Sequence, residues 1–180
     1  MTNAEAVKFL EEKHAAFLAA VAGIDQRISE TQPSPGEWSV GEIVHHVTLI
    51  ERTVRRLVWA LRWRLVGSPA RPGVEKTAAM EKVGAREGRV KTMQRFLPSH
   101  GQSLQHLLES YKRERQKTLK LARHANFGKL RQRAFRHYVL GYMNGEEWLL
   151  FNGYHEERHR RQIKEVLRRL QINEQESSKV

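Results

Sequence analysis

The chain has no cysteine among its 180 residues, and it has no charge-free apolar run long enough to span a membrane. The lack of cysteine excludes disulfides, thiolate metal ligands and a cysteine nucleophile, so any metal must be held by nitrogen and oxygen atoms. The lack of a long apolar run excludes a transmembrane helix, which takes about 18 or more apolar residues. Acids and Lys8 interrupt residues 1–12, which therefore do not resemble a signal peptide. We expect a cytoplasmic protein with one domain.

Acidic residues are the minority among the charged ones, with 20 against 32 lysines and arginines, for a formal net charge of +12. Such an excess suggests nucleic acid, an anionic membrane surface or acidic small molecules as partners. The basic residues are spread over three stretches rather than gathered in one stripe, at residues 52–64, 112–136 and 158–169. This spread favours solvated helix faces first, and a positive field around an anionic substrate second.

Apolar residues recur at spacings of three and four in four stretches. This periodicity predicts four amphipathic helices, at about 3–28, 39–65, 103–124 and 144–170. Two of the helix starts carry capping signals, since Ser39 is followed by Glu42 and Asn144 by Glu147. No stretch shows the sustained alternation of apolar and polar residues that predicts a strand.

A connection over residues 67–101, rich in proline and glycine, separates the second and third predicted helices. A short helix is predicted within it, at about 77–82 or 90–96. A connection of this length is uncommon in a compact domain, and in a bundle it often serves as a crossover. The predicted fold is therefore all-α: a four-helix bundle over residues 1–172 with a long crossover between helices 2 and 3. A polar C-terminal tail over residues 173–180 follows it.

Three histidines fall on the inward-facing sides of two predicted helices. His155 and His159 are four residues apart, so they project from one helix face and can bind the same metal ion. His46 lies on the core-facing side of the second helix, between Ile43 and Ile50. Three imidazoles from two helices leave positions open for water or substrate, as a catalytic metal site does.

Spacing alone also allows a second interpretation, in which the histidines are separate core residues, each satisfied by hydrogen bonds. If a metal is bound, zinc, nickel, iron and copper all suit imidazole ligands. Asn152 and Gln162 each lie three residues from one histidine of the pair and could orient an imidazole. A local hydrogen bond in the lining of the bundle is the favoured role for Asn152. For Gln162, the orienting role and a position that only faces a groove both stay open. We expect His45 to point to solvent, His14 to lie in the core or at its rim, and Trp148 to lie in the core.

Two motifs resemble the DinB-like superfamily of metalloenzymes. Residues 36–47, Gly-Glu-Trp-Ser-Val-Gly-Glu-Ile-Val-His-His-Val, look like the opening of that family's second helix, with His46 at the ligand position. Residues 147–163 look like its fourth helix, in which a tryptophan precedes His-x-x-x-His and then Gln-Ile. His155 and His159 occupy the two remaining ligand positions of that pattern.

This resemblance implies an up-down-down-up four-helix bundle, often a homodimer, that binds zinc, nickel or a similar divalent ion. It also implies an activity among metal-dependent hydrolases or among transferases and isomerases that use low-molecular-weight thiols. One departure concerns His137, which is followed by Tyr138 where family members often have proline. This departure affects the loop ahead of the fourth helix and not the ligand positions.

The leading hypothesis is a metal-dependent hydrolase or thiol S-transferase with a three-histidine site. The metal would bind water or a thiolate, lower its pKa and present it to a small-molecule substrate, either anionic or thiol-bearing. No general base or other catalytic residue is identified, and no phosphate loop or dinucleotide fingerprint suggests a nucleotide cofactor. The alternatives are a basic nucleic-acid-binding or stress-related helical bundle without catalysis, and a bundle that serves in protein interaction. Nucleic acid is the less favoured partner because no recognition motif is present.

Overall fold

The computed structural model describes residues 1–70, 76–87 and 91–177, with side chains described as far as residue 171. In chain order the helices are α1 (Asn3–Val21), α2 (Gln26–Glu30), α3 (Val40–Arg62), α4 (Thr77–Gly84), α5 (Leu104–His124), α6 (Phe127–Leu130) and α7 (Gly145–Ser177). A single 3-10 turn lies between α4 and α5, at Gln94–Phe96. Three short strands complete the described part of the chain, namely β1 (Ser68–Pro69), β2 (Arg133–His137) and β3 (Gly141–Asn144).

The four long helices form a four-helix bundle, as the apolar periodicity predicted. Helices α1 and α3 each pack against both α5 and α7. Their apolar residues form two clusters, one at each end of the bundle. Along the chain, α1 and α7 pass from the first cluster to the second, whereas α3 and α5 pass from the second to the first. None of the helices in the described ranges combines the length and apolar character that a membrane span requires.

The two capping signals operate as the sequence predicted. The Ser39 hydroxyl accepts the backbone N–H of Glu42, and the Glu42 carboxylate accepts the backbone N–H of Ser39 at 2.9 Å. Asn144 and Glu147 exchange the same pair of hydrogen bonds at the start of α7, at 3.0 and 2.7 Å. These reciprocal bonds satisfy backbone N–H groups that have no partner within the helix, and so they define where α3 and α7 begin.

A small antiparallel sheet lies ahead of α7, where the sequence predicted no strand. Strand β2 pairs with β3, with Ala134 opposite Asn144 and His137 opposite Gly141. The two residues of β1 pair with the other edge of β2. The prediction was wrong because strands of two to five residues are too short for alternation to be recognised.

Several helix bounds differ from those predicted. The first predicted helix is two helices, because the chain turns at Gly23, whose φ of +75° favours glycine, and α2 then starts under a side-chain cap from Asp25. The fourth predicted helix continues beyond residue 170 to Ser177, so the predicted tail begins inside α7. In the long connection, α4 confirms the helix predicted near 77–82. The alternative at 90–96 is only the 3-10 turn, and Val90 lies outside the described residues.

Candidate metal centre

His46, His155 and His159 come together inside the bundle. One ring nitrogen from each lies within 4.8 Å of the other two, and the three residues are 4 %, 8 % and 5 % exposed, respectively. The Nε2 atoms of His155 and His159 are 3.2 Å apart, because residues four apart project from the same face of α7. The ring of His46, on α3, approaches both, with centroid distances of 5.2 and 4.8 Å.

Two hydrogen bonds determine which nitrogen of these rings is available for a metal. Nδ1 of His46 donates to the backbone carbonyl of Phe96 at 2.8 Å. Nδ1 of His159 donates to the side-chain oxygen of Gln162, also at 2.8 Å. A carbonyl oxygen only accepts, so the proton sits on Nδ1 in both rings and Nε2 carries a free lone pair. Gln162 and the 3-10 turn thus orient two of the three imidazoles.

All three imidazoles are neutral at neutral pH. Burial lowers the pKa of His46 to about 4, although the hydrogen bond to Phe96 opposes it in part. Burial also lowers the pKa values of His155 and His159 well below the ordinary value, and the neighbouring rings add to the effect. Neutral imidazoles are the form that ligates metals, and three of them with converging nitrogens suit a borderline-soft divalent ion. The donor set therefore fits such an ion.

The three histidines line a cleft of about 1240 Å³. Trp38 forms part of its wall and packs on the rings of His46 and His159, at centroid distances of 4.8 and 6.4 Å. The turn of the β2–β3 hairpin and the 3-10 turn contribute further walls. The cleft is open enough for a small molecule to approach the histidines, which a purely structural site would not require.

The charged residues of the cleft are mainly arginines. Five arginines line it against two glutamates, Glu37 and Glu165, and the arginines are Arg86, Arg95, Arg136, Arg158 and Arg169. Each glutamate is paired with one arginine, because Arg169 contacts Glu37 at 2.5 Å and Arg86 contacts Glu165 at 2.8 Å. The exposed side chains of Arg95 and Arg136 have no acidic partner among the residues that the structure describes. The cleft therefore carries an excess of positive charge.

The remaining candidates from the sequence lie elsewhere. His14 packs on Tyr111 in the core, away from the three histidines. His45 is only half-buried and its Nδ1 accepts the backbone N–H of Ser99, so the expectation of a solvent-facing ring is met in part. Trp148 is buried, as predicted, and its indole N–H donates to the carbonyl of Phe135. Asn152 is 2 % exposed and makes no hydrogen bond with any described residue, so the local bond favoured for it is not formed.

A polar layer that the sequence analysis missed lies between the two apolar clusters. Arg115 of α5 is fully buried and contacts Glu51 of α3 at 3.0 Å and Glu156 of α7 at 2.5 Å. The Nδ1 atom of His14 lies 3.7 Å from Glu156. Spacing was an available signal, since Glu51 lies four residues after Val47 and three before Val54. The hydrogen bond between His46 and the carbonyl of Phe96 could not be predicted from the sequence, because every residue carries a backbone carbonyl.

The fold and part of the sequence recur in other proteins. The chain is 24 % identical over 151 residues to the uncharacterized protein YuaE of Bacillus subtilis (strain 168), which covers 82 % of this chain and 87 % of YuaE. The crystal structure of TT2238, a four-helix bundle protein, superposes with a TM-score of 0.62 at 22 % identity, covering 91 % of this chain and 98 % of TT2238.

YfiT from Bacillus subtilis has the same TM-score of 0.62 at 19 % identity, over 93 % of this chain and 87 % of that one. It is described as "a probable metal-dependent hydrolase with an unusual four-helix bundle topology". At these identities the two structures show the fold alone. The sequence profile of the DinB superfamily matches residues 9–163, a span that includes all three histidines. The chain therefore belongs to the DinB superfamily.

Proposed function

We propose that this protein binds one divalent metal ion through His46, His155 and His159 and acts as a metal-dependent enzyme on a small molecule. The reaction is hydrolysis or transfer of a group to a low-molecular-weight thiol. The observation that carries this proposal is the convergence of three neutral imidazoles, with ring nitrogens within 4.8 Å of one another, in a cleft open to a small molecule. The description of YfiT as a metal-dependent hydrolase supports the same assignment.

The residues around the histidines have separate tasks in this proposal. The three histidines hold the ion, while the Phe96 carbonyl and the Gln162 side chain keep two rings turned with Nε2 toward it. When bound, the ion supplies Lewis acidity, which lowers the pKa of a coordinated water molecule or thiol. Trp38 covers two of the rings and limits the access of bulk water to them.

The charge of the cleft favours an anionic substrate or thiol cosubstrate. Five arginines against two glutamates give a positive local field, and Arg95 and Arg136 have no acidic partner in the described ranges. Arginine side chains bind carboxylate and phosphate groups through paired N–H donors. Zinc and nickel are the ions we expect first. A homodimer and a cytoplasmic location remain predictions, and the nucleic-acid alternative rests on net charge alone.

Metal analysis of protein purified without a metal-binding tag tests the proposal. We expect a divalent ion at one equivalent per chain in the wild type, and its loss in His159→Ala. His124→Ala is the matched control, because His124 is exposed at the end of α5 and lies outside the cluster. Full metal content in His159→Ala, or no binding by the wild type after incubation with zinc or nickel, would contradict the proposal.

A further inference from the structure

A fourth histidine, His137, lines the same cleft. It is the last residue of β2 and is only 8 % exposed. Its ring stacks on Tyr138 at a centroid distance of 4.8 Å and packs on Trp148 and Phe151 at 5.3 and 5.0 Å. These contacts hold the ring in one orientation on the hairpin wall, outside the group of three histidines.

The tautomer of His137 follows from its hydrogen bonds. Its Nδ1 accepts the backbone N–H groups of Val139 and Leu140, both at 3.1 Å. Backbone N–H groups only donate, so Nδ1 carries no proton and the neutral ring is protonated at Nε2. Protonating Nδ1 would break both bonds of the turn, and burial lowers the pKa of His137 to about 4. At neutral pH the side chain therefore presents one fixed donor, Nε2–H.

No residue in the described part of the chain accepts this N–H. The Nε2 atom itself is not fully buried, so a ligand or water molecule can reach it. Because the ring is packed on its faces and turned to the backbone at Nδ1, the cleft is where an acceptor can reach Nε2. Because this N–H is accessible from the cleft, it can donate to a ligand there in place of water.

We propose that His137 is a substrate-binding residue, whose Nε2–H donates to a carboxylate or phosphate oxygen of a small amphipathic molecule. The apolar part of that molecule packs on the hairpin, where Phe135, Tyr138 and Val139 line the cleft with exposures of 42 %, 52 % and 51 %. The exposed Arg136 of the same hairpin adds positive charge beside the anionic group. This inference rests on the proposed function, because it assigns a substrate class to the same cleft.

Two variants separate substrate binding from a role in holding the turn. In His137→Asn the amide oxygen occupies the place of Nδ1, so the turn amides keep an acceptor while the donor to the cleft is lost. In His137→Gln the amide nitrogen occupies the place of Nε2, so a donor faces the cleft while the turn amides lose their acceptor. A residue that only holds the turn would make the glutamine variant the more impaired of the two. A substrate-binding residue makes the asparagine variant the more impaired.

The probe is benzoate, which combines a carboxylate with an aromatic ring, titrated into the metal-free protein and followed by NMR of ¹⁵N-labelled histidine. We expect His137 to be protonated at Nε2 at neutral pH and its Nε2–H signal to shift as benzoate binds. Loss of one hydrogen bond to a charged group should weaken binding about tenfold or more in His137→Asn. His137→Gln should retain most of the wild-type affinity.

The outcomes are distinct from those of the metal experiment. A proton on Nδ1 of His137, or equal benzoate affinity in the wild type and His137→Asn, would overturn this inference while leaving the metal site intact. Benzoate binding to the wild type with no shift of the His137 signal would overturn it as well. Loss of metal binding in the wild type would instead contradict the proposed function, and the benzoate titration, made without metal, would still report on His137.

Discussion

Replacing Arg115 by methionine should destabilise the bundle strongly, because Arg115 is the central cation of the buried polar layer. Its side chain is fully buried and contacts Glu51 at 3.0 Å and Glu156 at 2.5 Å, and both carboxylates are 0–1 % exposed. Methionine fills a similar length but removes the positive charge. Burial and the neighbouring Glu51 already raise the pKa of Glu156 well above its ordinary value. Without the guanidinium, the two buried acidic side chains would lie together with no cation between them.

The expected size of the effect comes from what an uncompensated buried charge costs. Removing one partner of a buried ion pair destabilises proteins by about 3–5 kcal/mol. For a chain of this length, each 1 kcal/mol corresponds to a shift in Tm of about 2–4 °C, so the variant should melt about 6–20 °C lower. Replacing the whole group with apolar residues, as in Glu51→Met with Arg115→Met and Glu156→Leu, should recover much of this loss because no charge then remains buried.

Urea denaturation followed by circular dichroism measures the free energy of unfolding of each variant. Arg113→Met is the matched control, because Arg113 lies two residues away on the exposed side of α5 and should change stability by less than about 0.5 kcal/mol. If Arg115→Met also stays within that range, the polar layer does not depend on its central charge and the reasoning is refuted.

Three further predictions concern other parts of the molecule. Gln162→Leu removes the acceptor for Nδ1 of His159 and should weaken metal binding about 10–100-fold in a competition assay with a chelating dye. The control Gln105→Leu, at an exposed position, should bind the metal as the wild type does, and equal affinities of the two variants would contradict the orienting role of Gln162. Burial raises the pKa of Glu114, but the hydrogen bonds from Lys117 and Arg55 lower it by more, so the folded-state pKa lies below the ordinary 4.5. The carboxylate therefore stabilises the fold above pH 4.5, and the deficit of Glu114→Gln in urea melts should shrink as the pH falls below that value; a deficit independent of pH would refute this assignment. In Gly153→Ala the new Cβ would overlap the Phe9 ring, so the variant should lose about 1–3 kcal/mol of stability although alanine favours helices, and Phe9→Ala should relieve that penalty. A stabilised Gly153→Ala variant would show that the Phe9 ring moves aside without cost.

The long connection between α3 and α5 has a direct part in the candidate site. Its 3-10 turn supplies the carbonyl that orients His46, and Met93, Arg95 and Phe96 line the cleft. The β2–β3 hairpin forms another wall and holds His137. The helices thus position the three histidines, while the irregular segments shape the space in which a substrate would meet them.

Local patterns were sufficient for the parts of the structure that depend on neighbouring residues. The apolar period of three and four predicted the four long helices, and the capping pairs at Ser39 and Asn144 predicted two of their starts. The His-x-x-x-His spacing placed His155 and His159 on one face, since helix geometry alone brings residues four apart together. The break at Gly23 was missed because a helix period continues across it and only the backbone conformation reveals the turn.

Apolar periodicity suggested that His46 lies close to the histidine pair on α7, but periodicity alone could not establish it. A helix period tells which side of a helix is apolar, and it leaves the height and direction of the helices relative to one another undetermined. Only the packing of α3 against α7 brings ring nitrogens more than a hundred residues apart in the chain to within 4.8 Å. The partner of His46 is a backbone carbonyl, and the tautomer of His137 depends on two backbone N–H groups of the hairpin turn. Neither contact can be predicted from residue types, because every residue has a backbone carbonyl and nearly every residue has a backbone N–H. Residue order thus determines the helices through contacts within a few positions, whereas the site arises from contacts between distant segments and exists only once the chain has folded.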